Sequence, residues 1–175
     1  MKKTKIQKKQ LIMFLAGLIA FVIGAGALGV YGFRKISLEL RRQKLMRENV
    51  VVEIADLDIK APVLEGTDKE TLSVGAGHFT GTGKVGSGNY CIAGHSSTIY
   101  KEYFSNLKNV KTGMEIQLYD TNESRTCYSY EVTENFIVNP DETWILDDFG
   151  DDRITIVTCT DDGTQRQVVV GFLTE

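Results

Sequence analysis

The chain has 175 residues, 42% hydrophobic and 25% charged, with 17 glycines, three cysteines and two prolines, which fits one globular domain plus an extra segment and excludes collagen-like, low-complexity and disulfide-scaffold classes. The net charge of −3 is unevenly spread: residues 1–49 carry 11 Lys+Arg against two acids, net +9, and residues 50–175 carry 9 against 21, net −12. A domain at −12 repels phosphate backbones, so nucleic acid is excluded as its partner.

Residues 1–10 form a basic tail with Lys2, Lys3, Lys5, Lys8 and Lys9 and no acid. Residues 11–33 contain no charge and no polar stripe. As a helix this run is roughly 34 Å long, enough to cross a hydrocarbon core of about 30 Å. It is expected to be a transmembrane anchor. Ala25-Gly26-Ala27 has the form of a cleavage site, but the apolar run continues past it and exceeds the ~7–15 residues of a signal-peptide core. An uncleaved, single-pass anchor is therefore expected, and the purely basic first flank favours a cytoplasmic N-terminus with the remainder outside the cell. Residues 34–49 are polar, rich in helix formers and free of Gly and Pro, and read as a stalk or short helix.

From residue 50 the texture changes to short strands. Residues 50–64 alternate loosely and are broken by Pro62, and residues 75–88 hold six glycines and read as a turn-rich loop. Residues 89–93 are a short apolar run, and residues 102–110 a short helix or turn. Residues 115–119, 125–138, 153–158 and 166–173 are strand-like, with β-branched and aromatic enrichment. Several short strands without long alternating helices predict an all-β barrel or sandwich over residues 50–175.

Two histidines, His78 and His95, and three cysteines, Cys91, Cys127 and Cys159, carry the candidate chemistry. No metal spacing is present. An odd number of cysteines outside the cell leaves at least one thiol, and a thiol with an imidazole suggests a cysteine nucleophile. Cys91, in Tyr90-Cys91-Ile92-Ala93, reads as a small buried hydrophobe, and Cys127, within a long strand, reads the same way. Nothing in the sequence supports a Cys91–Cys127 disulfide. Cys159 differs: it ends the run Ile154-Thr155-Ile156-Val157-Thr158 and is followed at once by Thr160-Asp161-Asp162-Gly163. A thiol at a strand end is both accessible and rigidly placed. Arg166 opens the next strand, and a tight connection would bring its guanidinium near the sulfur. His78, in the Gly-rich loop, reads as structural, and Trp144 and Tyr103 as packing residues. Asp141, Glu142, Asp147, Asp148, Asp151 and Asp152 read as a solvated acidic loop rather than a calcium site, since no Asp-x-Asp-x-Asp-Gly loop is present. No cofactor is expected.

Gly88-Asn89-Tyr90-Cys91-Ile92-Ala93-Gly94-His95, then Thr155-Ile156-Val157-Thr158-Cys159-Thr160, then Arg166, resemble the motifs of the sortase family; Gly75-Ala76-Gly77-His78-Phe79 resembles the segment before the histidine motif. Ile156 stands where the family usually has leucine, a conservative change. The resemblance covers residues 50–175 and implies a closed β-barrel of about eight strands with short helices. It implies cleavage of a Leu-Pro-x-Thr-Gly-like C-terminal sorting signal of secreted proteins, and transfer of the acyl group to an amine of a cell-wall precursor or a protein lysine. Cys159 would be the nucleophile, His95 the acid/base and Arg166 the third member, with Thr158 and Ala93 as substrate-binding candidates. The short domain lacks room for the helical insertion of class B, and no Asp-Pro-aromatic lid is evident, which leaves class A, D or E.

An ordinary thiol is roughly 3% thiolate at pH 7 and an ordinary imidazole about 24% imidazolium, so an independent reactive pair is under about 1% of molecules. Such a minority adds about 3 kcal/mol to the apparent barrier. Arg166 would favour the thiolate, whereas Asp161 and Asp162 would oppose it if they point inward. Two other readings stand: another extracellular cysteine hydrolase or transpeptidase, or an inactive tethered binding module. Papain-like chains place Cys before His, and L,D-transpeptidases keep the two in one compact motif, whereas here His95 precedes Cys159 by 64 positions.

Overall fold

The computed structural model describes residues 2–97, 102–121 and 126–174. The chain divides into two units, Met1–Arg41 and Arg42–Glu175. A single helix, α1 (Lys2–Glu48), carries the apolar run. Leu11, Phe14, Val22 and Phe33 lie exposed on it, as side chains that need a solvent other than water. Among the described residues it is the one helix long and apolar enough to cross a membrane, consistent with a single-pass anchor. The stalk is no separate helix. Without Gly or Pro between residues 34 and 48, nothing interrupts the hydrogen-bond ladder, and α1 runs on to Glu48.

Eight strands follow: β1 (Val50–Ile54), β2 (Ile59–Glu65), β3 (Ala76–His78), β4 (Asn89–Ala93), β5 (Glu115–Asp120), β6 (Thr126–Val138), β7 (Arg153–Cys159) and β8 (Arg166–Leu173). They close a barrel in the order β1-β2-β3-β4-β7-β8-β6-β5, as the sequence predicts for its fold class. The β2–β3 and β4–β7 pairs are parallel and the others antiparallel.

Two local expectations differ. Pro62 does not break the first strand region. The chain turns instead at Ala55–Leu57, with Asp58 at φ 53°, and Pro62 sits inside β2. The β2–β3 ladder starts only at Val63↔Ala76, so Pro62 needs no N–H on that edge. Second, the glycine-rich stretch contains β3, three residues long, too short to show alternation. The strand start expected at residue 125 lies outside the described residues. Residues 102–110 form a turn-rich segment with a 3-10 turn at Leu107–Asn109, pinned by fully buried Phe104 and Leu107.

The sheet has two apolar faces. Val52, Ile54, Tyr90, Ile92, Tyr130, Ile154, Ile156 and Val169 fill the barrel interior. Val138, Ile145, Val157, Val168 and Val170 form a second cluster on the outer face, with Phe136 and Phe172 packed against it. The 3-10 turn Trp144–Leu146 covers it. β7 is therefore buried on both sides, continuously from Ile154 to Thr158 rather than at alternate residues. Asn89 ties the cover down: its Nδ2 donates to the carbonyls of Ile145 (3.0 Å) and Asp147 (2.9 Å), and its Oδ1 accepts from the Thr155 hydroxyl (2.7 Å).

Asn89→Leu would leave two carbonyls and one hydroxyl without their buried partner. We expect a loss of about 1–3 kcal/mol in stability, read as a lower thermal midpoint, with faster amide exchange concentrated at residues 144–148.

Candidate active site

Topology brings the candidate residues to one rim. β4 and β7 run parallel in the register Ala93↔Val157, so both strands end at the same edge of the barrel. Two positions further on, His95 and Cys159 fall at the same level. β8 returns antiparallel from that edge, with Arg166 paired directly to Cys159. Alternation gives the face: Ile154 and Ile156 point into the barrel and Val157 outward, so Cys159 shares the outward parity of Val157, and Arg166 that of Val168 and Val170.

Local contacts fix the segment after β4. A Cβ on Gly94 would lie 2.5 Å from Phe104 Cδ2, so only glycine lets this buried ring pack against the chain just before His95. The Phe104 amide donates to the His95 carbonyl (3.1 Å). The Thr158 hydroxyl donates to the Gly94 carbonyl (2.7 Å), and the Ser96 hydroxyl to the Cys159 carbonyl (2.7 Å). These bonds stitch the backbone around His95 to the end of β7. The His95 side chain is exposed and Cys159 is half-buried. Thr158 is buried and its hydroxyl serves this stitching; Ala93 is half-buried within the ladder.

The connection from β7 to β8 is organised by Asp162. Its carboxylate accepts from the Thr160 hydroxyl (2.6 Å), the Thr164 amide (3.1 Å) and the Thr164 hydroxyl (2.8 Å). These hydrogen bonds, Thr160's foremost, hold its carboxyl down at about 2. Asp161 pairs with Lys108 at 2.8 Å. Both carboxylates beside Cys159 are thus engaged with donors of their own. Arg166 Nη1 donates to the carbonyls of Gln165 (3.0 Å) and Gly163 (3.4 Å), which steadies the guanidinium over its own loop.

A groove of about 400 Å³ opens beside this rim. Thr158, Cys159, Thr160, Asp161 and Gln167 line it from β7, β8 and their connection; Ser96, Phe104, Ser105 and Lys108 line it from the segment after β4; and Asn135, Phe136 and Ile137 line it from β6.

Residues 52–174 match the family described as Sortase domain. The chain belongs to the sortase family. It is 34% identical over 139 residues to sortase A of Bacillus anthracis, covering 77% of this chain and 65% of that one. It is 32% identical over 124 residues to sortase A of Listeria monocytogenes, covering 70% of this chain and 54% of that one. The chain thus spans between about half and just under two thirds of the length of these sortase A relatives. Among solved structures it resembles a Clostridium perfringens sortase D5 transpeptidase (TM-score 0.65, 29% identity, 78% of this chain and 89% of that one). It also resembles sortase C-1 of Actinomyces oris (TM-score 0.67, 29% identity, 72% of this chain and 73% of that one).

Other residues of this sortase are accounted for locally. His78 Nε2 donates to the Gly83 carbonyl (3.0 Å), its Nδ1 meets Glu65 Oε2 (2.8 Å), and its ring stacks on Tyr90 at 4.5 Å, so it braces the connection from β3 to β4. His78, with Thr80, holds the Glu65 carboxyl below the usual range. Cys91 is fully buried, and burial pushes its thiol up to about 11. Cys127 contradicts its expected burial: it lies exposed near the start of β6, where β5 pairs with the strand but the β8 ladder begins only at Tyr130. None of the three cysteines forms a disulfide. Trp144 is 46% exposed and stacks on Phe136 at 5.8 Å. The acidic loop uses its carboxylates on itself and its neighbours: Asp151 holds Arg153, Asp152 accepts from the Gly88 amide, Asp148 from the Gly150 amide, and Glu142 from Asn139 and Trp144. Among the described residues no three His, Cys, Asp or Glu gather as a metal site. The groove residues Ser96, Lys108, Asn135 and Gln167 carry no motif. Ser96 alone had a signal, its place next to His95.

Gly94→Ala would drive a methyl into Phe104, which is fully buried and has no room to retreat. We expect a cost of about 1–3 kcal/mol from overpacking, seen in thermal unfolding. Asp162 gives a pH signature. Its carboxyl is depressed when folded, so the loop hydrogen bonds contribute fully above the ordinary aspartate value of 3.8 and fade as pH falls through about 2. A carboxyl-carbon NMR titration of Asp162 should show a midpoint well below that ordinary value; a midpoint at the ordinary value would refute the hydrogen-bonded loop.

Proposed function

We propose that this chain is a membrane-anchored cysteine transpeptidase. It cleaves a Leu-Pro-x-Thr-Gly-like sorting signal between Thr and Gly and passes the acyl group to an amine outside the cell. The N-terminus lies in the cytoplasm, the catalytic domain outside, and residues 34–49 link them. The carrying observation is the Cys159↔Arg166 pair at the groove rim, with the segment around His95 bonded to the same strand end.

In this reading the Cys159 thiolate attacks the threonine carbonyl carbon. The His95 imidazolium protonates the departing glycine nitrogen as the C–N bond breaks, leaving a thioester and a neutral imidazole. An amine then attacks the thioester carbonyl. His95 takes the amine's proton, the C–S bond breaks, and the thiolate–imidazolium pair returns. Arg166 stays protonated throughout, so it acts through its donors, on the developing oxyanion or on substrate carbonyls. Nη1 is occupied by the loop carbonyls, so in this reading the Nη2 and Nε donors serve the substrate. Because Asp161 is paired with Lys108 and Asp162 with hydroxyls and an amide, neither presents a bare charge to the sulfur. The apolar groove wall of Phe136 and Ile137 suits the Leu-Pro portion of such a signal. Of classes A, D and E, the likeness to sortase A relatives supports a class A type.

The test is a peptide library of Leu-Pro-x-Thr-Gly variants given to the full-length protein in detergent. We expect cleavage after Thr and a mass-detectable thioester on Cys159. Cys159→Ala should abolish both, His95→Ala should cost at least about 10²-fold, and Arg166→Ala about 10²–10³-fold. Folded wild-type protein that cleaves no member would overturn the proposal.

A further inference from the structure

A primary amide buried in an apolar strand must find partners for both its nitrogen and its oxygen. Gln167 is such a group: it stands second in β8, ahead of Val168, Val169 and Val170, and is 8% exposed. It pairs with Thr158 in the β7–β8 ladder, one residue along from the Cys159↔Arg166 pair. Strand spacing and rise then put its Cα about 6 Å from that of Cys159. Gln167 and Cys159 both line the groove.

The neighbours fix which way this amide is turned. The Val110 carbonyl can only accept, so Asn135 presents Nδ2 to it (3.2 Å). Asn135 Oδ1 is thereby left for Gln167 and also only accepts, so Gln167 presents Nε2 (3.0 Å). The same Nε2 donates to the Leu107 carbonyl (3.3 Å). Turning the amide over would set Oε1 against two acceptors. The nitrogen is thus committed, and Oε1 has no hydrogen-bond partner among the described residues. Nor is Oε1 sealed from solvent, so the surface it shows is groove surface.

We propose that Gln167 is a specificity-determining residue whose Oε1 accepts a backbone N–H of the acyl segment, from the threonine or from the residue x before it. The inference rests on the transpeptidase reading above, which lays that segment in the groove beside Cys159. Water can serve Oε1 while the groove is open. An acyl chain that displaces water without bringing a donor leaves a fixed acceptor bare, whereas one that brings an N–H replaces the lost bond. A carbonyl placed there would meet a second acceptor. N–H and C=O groups alternate along an extended chain, so one immovable acceptor selects the register in which the scissile carbonyl meets the sulfur. Within Leu-Pro-x-Thr the proline has no N–H and the leucine lies furthest from the sulfur, which leaves x and Thr.

The experiment compares three donors: Leu-Pro-x-Thr-Gly, the same peptide with an ester in place of the Pro–x amide, and the same with an ester in place of the x–Thr amide. Each ester removes one N–H and keeps the length of the chain. Cleavage between Thr and Gly by the full-length protein in detergent is followed by mass spectrometry, and kcat/KM is taken for each donor. In the wild-type protein one of the two esters should be cut about tenfold less efficiently than the amide. In Gln167→Met, similar in length but without the acceptor, that preference should vanish. The ratio is internal to each protein, so a smaller folded fraction of the variant cancels. In Cys159→Ala protein, which keeps Gln167 in place, the amide peptide but not that ester should shift the NMR signal of the Gln167 carboxamide carbon. Equal kcat/KM for all three donors, an ester loss that persists in Gln167→Met, or an unmoved carboxamide signal at saturating amide peptide overturns the role of Gln167 and leaves the proposed activity standing. Failure of folded wild-type protein to cut the amide donor overturns both.

Discussion

Parallel pairing of β4 with β7 is the constraint on which the site depends. In an antiparallel pair the end of one strand meets the start of the other, and the residues after β4 would lie far from the end of β7. The parallel register Ala93↔Val157 sends both ends to one rim, and the antiparallel β7–β8 pair then sets Arg166 opposite Cys159. A parallel pair needs a long crossover. Here residues 94–152 supply it, and on their way they build two of the groove's walls and the cover over the outer apolar cluster.

Burial on both faces gives the rim its rigidity. β7 is sealed by the barrel interior on one side and by the Val138–Ile145–Val157–Val168–Val170 cluster on the other. The last turn-side residues are then held by specific polar bonds as well as by packing: Thr158 to Gly94 and Ser96 to Cys159. The strand fixes where the sulfur is, and the hydroxyls fix where the neighbouring backbone lies relative to it. Such a division suits a site whose backbone must stay still while side chains exchange partners.

The barrel class, β4, β7 and β8 were legible because long apolar or β-branched runs ended in unmistakable turn chemistry: Gly94 after β4, Asp161-Asp162-Gly163 after β7. Four features escaped for physical reasons. β3 is too short to alternate, and Pro62 was tolerated because its strand edge is unpaired at that residue. The exposure of Cys127 reflects how far β8 extends along β6, a long-range fact absent from local pattern. Lys108 reaches the groove only because Phe104 and Leu107 bury their side chains and turn the intervening segment. The candidate triad was named through its motifs, whereas the polar groove residues Ser96, Lys108, Asn135 and Gln167 carry no motif of their own.

The three sulfurs sit in three different worlds. Cys91 is sealed between strands, Cys127 stands on an outer edge away from the rim, and Cys159 opens on the groove. An alkylating reagent applied to the native fold therefore has two targets, one of which reports nothing about the groove. Replacing Cys127 by serine would turn any thiol-directed dye into a reporter of that groove alone, with burial rather than chemistry silencing the remaining sulfur.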